Sequence, residues 1–233
     1  MPYLARIPGF PLEACRHCYT DASIWDAFDP TLITLCSPDP QAYRPPDVAP
    51  NVLQVGLPTN FKAARFDSEH HTAILRQLEA DVSTARYDSA DGPIEVPVKL
   101  KVHNSVFVPL AKWCMLLAGN YRCIQKENMR SIKEAVHNDL EESKRIYQLV
   151  MDLCIALSAK EKDLVPFEKY AHAAKSLKNP SSAARALFSG ALNIERVDLL
   201  IQAIAAKQNR HDFAIDEIVE FVNHRLEINR RDA

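Results

Sequence analysis

Glycine is scarce. The chain has five in 233 residues (Gly9, Gly56, Gly92, Gly119 and Gly190), and no two are close enough to build a phosphate-cradling loop. That spacing excludes the GxGxxG and GxxxxGK turns, through which backbone amides approach a pyrophosphate at a helix N-terminus. Long apolar runs are missing as well, and no stretch nears the about eighteen residues a membrane span needs. Prolines and charges interrupt the first residues, MPYLARIPGFPLEACRHC, so no signal-peptide core is read there. The expected compartment is therefore a reducing one, the cytosol. An excess of one charge is also absent, with 28 basic against 30 acidic side chains and no sustained basic run. Nucleic-acid binding has no electrostatic support on that balance. Neither a nucleic acid nor a membrane is an expected partner.

Metal-ligand spacing is half present. Cys15-Arg16-His17-Cys18 has the two-residue gap of half a zinc site, but no second pair completes it, and His70 and His71 are adjacent. No metal is expected. Cys36, Cys114, Cys123 and Cys154 sit singly among apolar neighbours and read as small hydrophobes.

What is present is enough for a core, since 47% of the residues are hydrophobic, the proportion of an ordinary globular protein. Proline partitions the chain: twelve of fifteen lie in residues 1–97, leaving Pro109, Pro166 and Pro180 beyond. The first part reads as short strands and loops, the second as helices. TLITLC (31–36) and NVLQVGL (51–57) are candidate strands, separated by a proline-rich loop. Residues 68–82 read as a helix capped by Ser68, with Ile74, Leu75, Leu78 and Val82 on one face. A turn is expected from Asp88 to Gly92. Pro97 suits a first helical turn, so a helix is expected from about Pro97 to Ala118, kinked at Pro109 and stopped at Gly119 and Asn120. Residues 128–158 read as one long amphipathic helix whose cluster DLEESKR is a solvated face with ion pairs. Further helices are expected over 163–177, 181–188, 193–208 and 212–229, with Asn193 and Asp212 at helix starts.

Within 97–113, PVKLKVHNSVFVPLAKW, polar groups are set in an apolar run, where they need hydrogen-bond partners or a ligand. This segment, with NVLQVGLPTNF and HTAILRQLEADV before it and PSSAARALFSGALNIERVDLL and NRHDFAIDEIVEFVNHRLE after it, resembles the C-terminal half of the ketopantoate reductase family over about residues 50–228. The resemblance implies an α-rich α+β chain: a truncated Rossmann-like β region followed by an all-helical domain of the 6-phosphogluconate dehydrogenase C-terminal type. Residues 1–96 would be a short β/loop remnant of a cofactor-binding domain, and 97–233 the helical substrate and dimerisation domain. The implied function is reduction of a small 2-keto acid with NADPH by a homodimer.

The family carries a catalytic Lys and two Asn at i, i+4 and i+8. Counted back from Pro109 and Leu110, those positions hold Leu100, Asn104 and Val108, and only Asn104 matches. Lys99 and Lys101 flank the lysine slot, each rotated roughly 100° around a helix. A π-bulge could return Lys99 to the Asn104 side, or both lysines could simply reach solvent. Ser181, Ser182 and Glu195 are similar to the family's substrate-binding Ser and Glu. They are equally good as helix caps and as a carboxylate at a helix start. Arg185 and Arg196 could hold a carboxylate or lie on the surface. The resemblance thus implies Lys99 and Glu195 as catalytic residues and Asn104 and Ser182 as substrate-binding, with NADP as cofactor if the chain is active and none otherwise. The alternative is a non-catalytic helical dimerisation or ligand-binding protein derived from that family, and a third reading has a partner chain lend the cofactor domain.

Overall fold

Local capping chemistry decides where the longer helices mostly begin. The computed structural model describes residues 1–37, 42–43, 48–49, 51–52, 54–55 and 59–233. They form two units, one of Tyr3–Trp25 with Ala111–Ala233 and one of Asp26–Leu110.

Helix α1 (Pro2–Ala5) starts on a proline preset for a first turn, and 3₁₀ turns follow at Glu13–Cys18 and Ser23–Ala27. The expected strand at 31–36 is mostly something else. Asp29 accepts from the Thr31 amide and hydroxyl, both at 2.8 Å, and caps a 3₁₀ turn at Pro30–Leu32. This Asp-Pro-Thr start overrides the β propensity of the residues after it. Only β1 (Cys36–Ser37) remains of that strand. Of the second candidate strand, Gln54 and Val55 form β3 (Gln54–Val55), paired with β2 (Ala42–Tyr43). Residues 53, 56 and 57 of that candidate lie outside the described residues, as does most of the expected loop between the two.

The sheet of this unit has the order β1, β4 (Thr59–Ala64), β7 (Val98–His103). β1 runs antiparallel to β4, with Cys36 opposite Ala63, and β4 runs parallel to β7, with Ala63 opposite Val102. A parallel pair needs a long crossover. Here α2 (Glu69–Thr84) supplies it and packs on β7. Ser68 caps α2 as expected. Ile74 and Leu78, expected to face a core, are 60% and 50% exposed. The hairpin β5 (Arg86–Ser89) and β6 (Gly92–Glu95) sits in the same crossover, and Gly92 takes φ +106°, a left-handed turn conformation open to glycine.

The expected helix from Pro97 to Ala118 is the main correction. Residues 98–103, Val-Lys-Leu-Lys-Val-His, alternate apolar and polar with period two, and that periodicity prevails over the proline signal. A 3₁₀ turn at Pro109–Ala111 leads into α3 (Lys112–Met115), followed by a π turn at Leu116–Asn120 and a 3₁₀ turn at Tyr121–Cys123. Gly119 sits inside the π turn rather than ending a helix.

The long helix expected over 128–158 is two. α4 (Ile132–His137) opens on a Ser131–Glu134 capping box, and α5 (Leu140–Ala156) opens on Asp139, whose carboxylate accepts from the Glu142 amide at 2.9 Å. A second cap inside an apolar pattern starts a second helix. α6 (Phe167–Ala174), α7 (Ser182–Phe188), α8 (Val197–Lys207) and α9 (Phe213–Arg231) complete the unit. Asp212 caps α9 as expected, whereas α8 begins after Arg196 and not at Asn193. The core includes Val136, Ile146, Val150, Leu153, Leu187, Ile201, Ile204 and Val222, all at most 1% exposed. Each contributes roughly 1.5–3 kcal/mol of burial. Tyr147 stacks on Tyr170 at 5.5 Å and meets Phe167 edge-on at 5.4 Å, with its hydroxyl donating to Val165 O. Among the described residues, no helix is long and apolar enough to cross a membrane.

Candidate functional site

The π turn is where three segments of the helical unit meet. It brings Gly119 so close to Tyr170 that an added Cβ would stand 1.9 Å from the Tyr170 hydroxyl oxygen. That hydroxyl donates to Met115 O at 3.1 Å, fixing the turn from outside. The Asn120 carbonyl accepts from Ser181 Oγ at 2.7 Å, and the same Oγ accepts from the Ala184 amide at 3.2 Å as the cap of α7. Ser181 is therefore buried and structural, whereas Ser182, the expected substrate ligand, is exposed on the first turn of α7. Asn120 is itself buried.

Tyr121 ties in the third segment. Its hydroxyl donates to Glu195 O and accepts from the Val197 amide at 3.0 Å, fixing the backbone on both sides of Arg196. Burial raises this phenol, so it stays protonated. Asp198, 0% exposed, accepts from Arg196 Nε at 2.9 Å and Nη2 at 2.8 Å. A bidentate guanidinium is the partner a buried carboxylate needs. Arg196 is thus committed to Asp198 rather than free on the surface.

A cleft of about 230 Å³ opens beside this network, between Cys18, Tyr19 and Thr20 of the N-terminal segment and the Glu195–Arg196 turn. Glu195 keeps solvent contact, yet the protein packed around it raises its carboxyl above the ordinary range by desolvation. Burial pushes the Cys18 thiol and the Tyr19 phenol each up to about 12. At neutral pH both are protonated, so neither serves as an anionic nucleophile. Glu195 is the carboxylate of this cleft suited to proton exchange or to orienting a hydroxyl. Among the described residues no group of three or more His, Cys, Asp or Glu could hold a metal. Cys36, expected among apolar neighbours, is exposed.

Lys99 and Asn104 lie in the other unit. Lys99 is exposed on β7 and pairs with Glu95 at 3.6 Å. Asn104 follows β7, is exposed, and accepts from Arg76 Nη2 at 2.7 Å. β7 ends at His103, so the counted slots Leu100, Asn104 and Val108 run from the strand into the segment after it and share no helix face. The helical segment that does carry the spacing is Lys112, Leu116 and Asn120, spanning α3 and the π turn. The sequence signal was available in KWCMLLAGN, where Lys and Asn stand eight apart. Anchoring the count on Pro109 and Leu110 passes over it.

A dinucleotide does not fit the one βα turn of the described sheet. Residues 65–68, Arg-Phe-Asp-Ser, link β4 to α2 without a glycine, and Thr72 Oγ1 donates back to Phe66 O and Ser68 O at 3.1 and 2.8 Å. Asp67 places negative charge where a pyrophosphate would sit, while Glu69 pairs with Arg65 at 2.9 Å. Gly56 lies outside the described residues.

No protein-family model matches the sequence, and no curated protein matches it. Among solved structures, the chain is similar to the ternary complex of D-mandelate dehydrogenase with NADH and anilino(oxo)acetate, with a TM-score of 0.58 and 10% identity over 89% of this chain. The match spans 65% of that dehydrogenase chain. The likeness shows the fold: a helix-rich chain with a small mixed sheet, matching part of a dehydrogenase fold.

Proposed function

We propose that the helical unit is the substrate-binding part of an oxidoreductase-like protein for small 2-keto or 2-hydroxy acids, of the ketopantoate reductase kind. The observation that carries this reading is the convergence at Asn120 and Tyr121. One hydrogen bond ties the Lys112–Asn120 segment to the Ser181 cap, and another, from the adjoining Tyr121, reaches the Glu195 carbonyl. These are the elements that the resembled family uses to hold its substrate. In this reading Lys112 takes the lysine role. Its ammonium would polarise a ketone oxygen and hold the proton that the product hydroxyl requires. Asn120 would offer its side-chain amide to the substrate, and Glu195 would orient the hydroxyl. Leu116 stands where the family has its first Asn, so that contact is missing. Redox chemistry would come from a nicotinamide dinucleotide, NADH in the structural neighbour and NADPH in the resembled family. The described βα turn does not receive one, and no step is assigned to it.

The test is thermal stability of the full chain with a panel of small 2-keto acids, in the wild type, Lys112→Ala and Lys99→Ala. The reading expects a saturable rise in Tm that Lys112→Ala loses and Lys99→Ala keeps. The reverse pattern would return the site to Lys99 and Asn104. A wild type with no response to any 2-keto acid ends the enzyme reading.

A second reading has its own observation. Cys18, Tyr19 and Thr20 pack at the Glu195 cleft, which is how a former site becomes a structural contact. A non-catalytic helical module, dimeric as the resemblance implies, would show no 2-keto acid response and would sediment as a dimer.

A further inference from the structure

The 3₁₀ turn after Tyr121 carries a second feature. Tyr121 serves the Glu195 segment, whereas its neighbour Arg122 turns to α5 and shares a small cleft of about 80 Å³ with Arg130. The bonds of both arginines are to neutral groups. Arg122 donates to Ser143 Oγ and, at 3.4 Å, to Ala118 O; Arg130 Nε donates to Arg122 O at 2.9 Å. Among the described residues neither guanidinium has a carboxylate within 4.0 Å. Burial and the neighbouring Arg130 both hold the Arg122 guanidinium below its ordinary range, burial the more. Two like charges have been brought together, one of them partly desolvated, and the carboxylates that act on them, Glu142 and Asp139 on Arg122 and Glu134 on Arg130, do so without a direct ion pair.

The carboxylates nearby do not resolve this. Glu142 lines the same cleft, but both its oxygens accept from Arg145 at 2.7 Å, and Arg145 also clamps Asp212. Glu217, on α9, lines the cleft as well, is exposed, and makes no ion pair or hydrogen bond among the described residues. The arginines are left with unused in-plane N–H groups, a geometry that matches a carboxylate bidentately. Ile124, Ile146 and Phe221 give the cleft an apolar wall.

We propose that the cleft formed by Arg122 and Arg130 binds a small monocarboxylate, its oxygens on the guanidinium groups and a short hydrocarbon tail against Ile146 and Phe221. A monoanion suits the site better than phosphate, because Glu142 and Glu217 at the rim repel a dianion more and an apolar wall offers phosphate nothing. The volume excludes a nucleotide. This site is independent of the 2-keto acid reading, and butyrate, which has no keto group, separates the two.

The experiment is titration of the full chain with sodium butyrate, and with phosphate as a second arm, against sodium chloride at matched ionic strength, read by thermal shift and calorimetry. Butyrate is expected to raise Tm saturably above the chloride control. Arg130→Gln should weaken its affinity at least tenfold, Glu217→Gln should tighten it several-fold, and Lys112→Ala should leave it unchanged. A butyrate response equal to chloride overturns the proposal, as does one that survives Arg130→Gln. Phosphate binding more tightly than butyrate overturns the monocarboxylate assignment. Should Arg130→Gln fail to fold, Glu217→Gln decides, since it breaks no bond among the described residues, and unchanged butyrate affinity there overturns the site.

Discussion

Gly119 is the residue on which the helical unit is least forgiving. Its role is close approach and not backbone freedom, because the contact is with the Tyr170 hydroxyl, whose own bond to Met115 O holds it in place. A methyl group there must displace Tyr170, which is locked by stacking on Tyr147, and it also meets Val136 at 3.2 Å. Gly119→Ala should therefore destabilise the chain by about 1–3 kcal/mol, the usual cost of overpacking a dense core, measured as a drop in the denaturant midpoint. Pairing it with Tyr170→Phe should recover part of the loss, and full additivity of the two would show that the hydroxyl is not the obstacle. At this scale the sequence was a good guide to caps. Ser68, Ser181 and Asp212 announce helix starts because a short polar side chain before an apolar pattern has one favourable use. It was a poor guide to Tyr170, because the partner that makes Gly119 necessary is 51 residues away in the chain.

At the scale of elements, the starts of α2, α7 and α9 hold, whereas those expected at Pro97 and Asn193 do not. The pattern over 128–158 is amphipathic throughout, so its period alone cannot reveal the break at Asp139; only the local cap chemistry does. The strand at Val98–His103 shows the opposite failure, a period-two pattern hidden behind a proline that also suits a helix. Lys99 and Asn104 belong to that strand and its exit, whereas Lys112 and Asn120, eight residues apart, belong to α3 and the π turn beyond. The junction of α5 with α9 offers a charge test. Asp212 lies below the ordinary carboxylate range, first because of its hydrogen bonds with Arg145. A depressed folded value means that the stabilisation is complete above the unfolded value of about 3.9 and fades as pH falls through the lower folded value. Asp212→Asn keeps a capping oxygen and removes the charge. It should cost roughly 0.5–1 kcal/mol at pH 7, the range for a partly exposed pair after screening. The gap from wild type should close in acid, below the ordinary carboxylate range. A gap that stays constant down to pH 2 would assign the loss to the cap and not to the ion pair.

For the whole molecule, the relation between chemistry and cofactor is the decisive question, and here glycine scarcity and the described fold point the same way. A dehydrogenase-like fold gains its dinucleotide affinity from a βα turn whose backbone lets a pyrophosphate reach helix amides. In this chain the β4–α2 turn has no glycine, its first helical turn is occupied by Ser68 and Thr72, and Asp67 adds repulsion beside the Arg65–Glu69 pair. Each of these acts on a different contribution: steric approach, donor availability and charge. Restoring one alone would therefore not restore binding. Calorimetry of the full chain with NADH and with NADPH should show no affinity in the micromolar range or tighter, in the presence or absence of a 2-keto acid. Replacing Asp67 and Glu69 by Asn and Gln should leave that result unchanged, because the missing glycine still keeps the backbone away. Micromolar binding by the wild type would mean that the dinucleotide is received elsewhere, and would favour an active reductase. Binding that emerges only in the Asp67→Asn, Glu69→Gln variant would show that charge, rather than steric approach, had been the barrier.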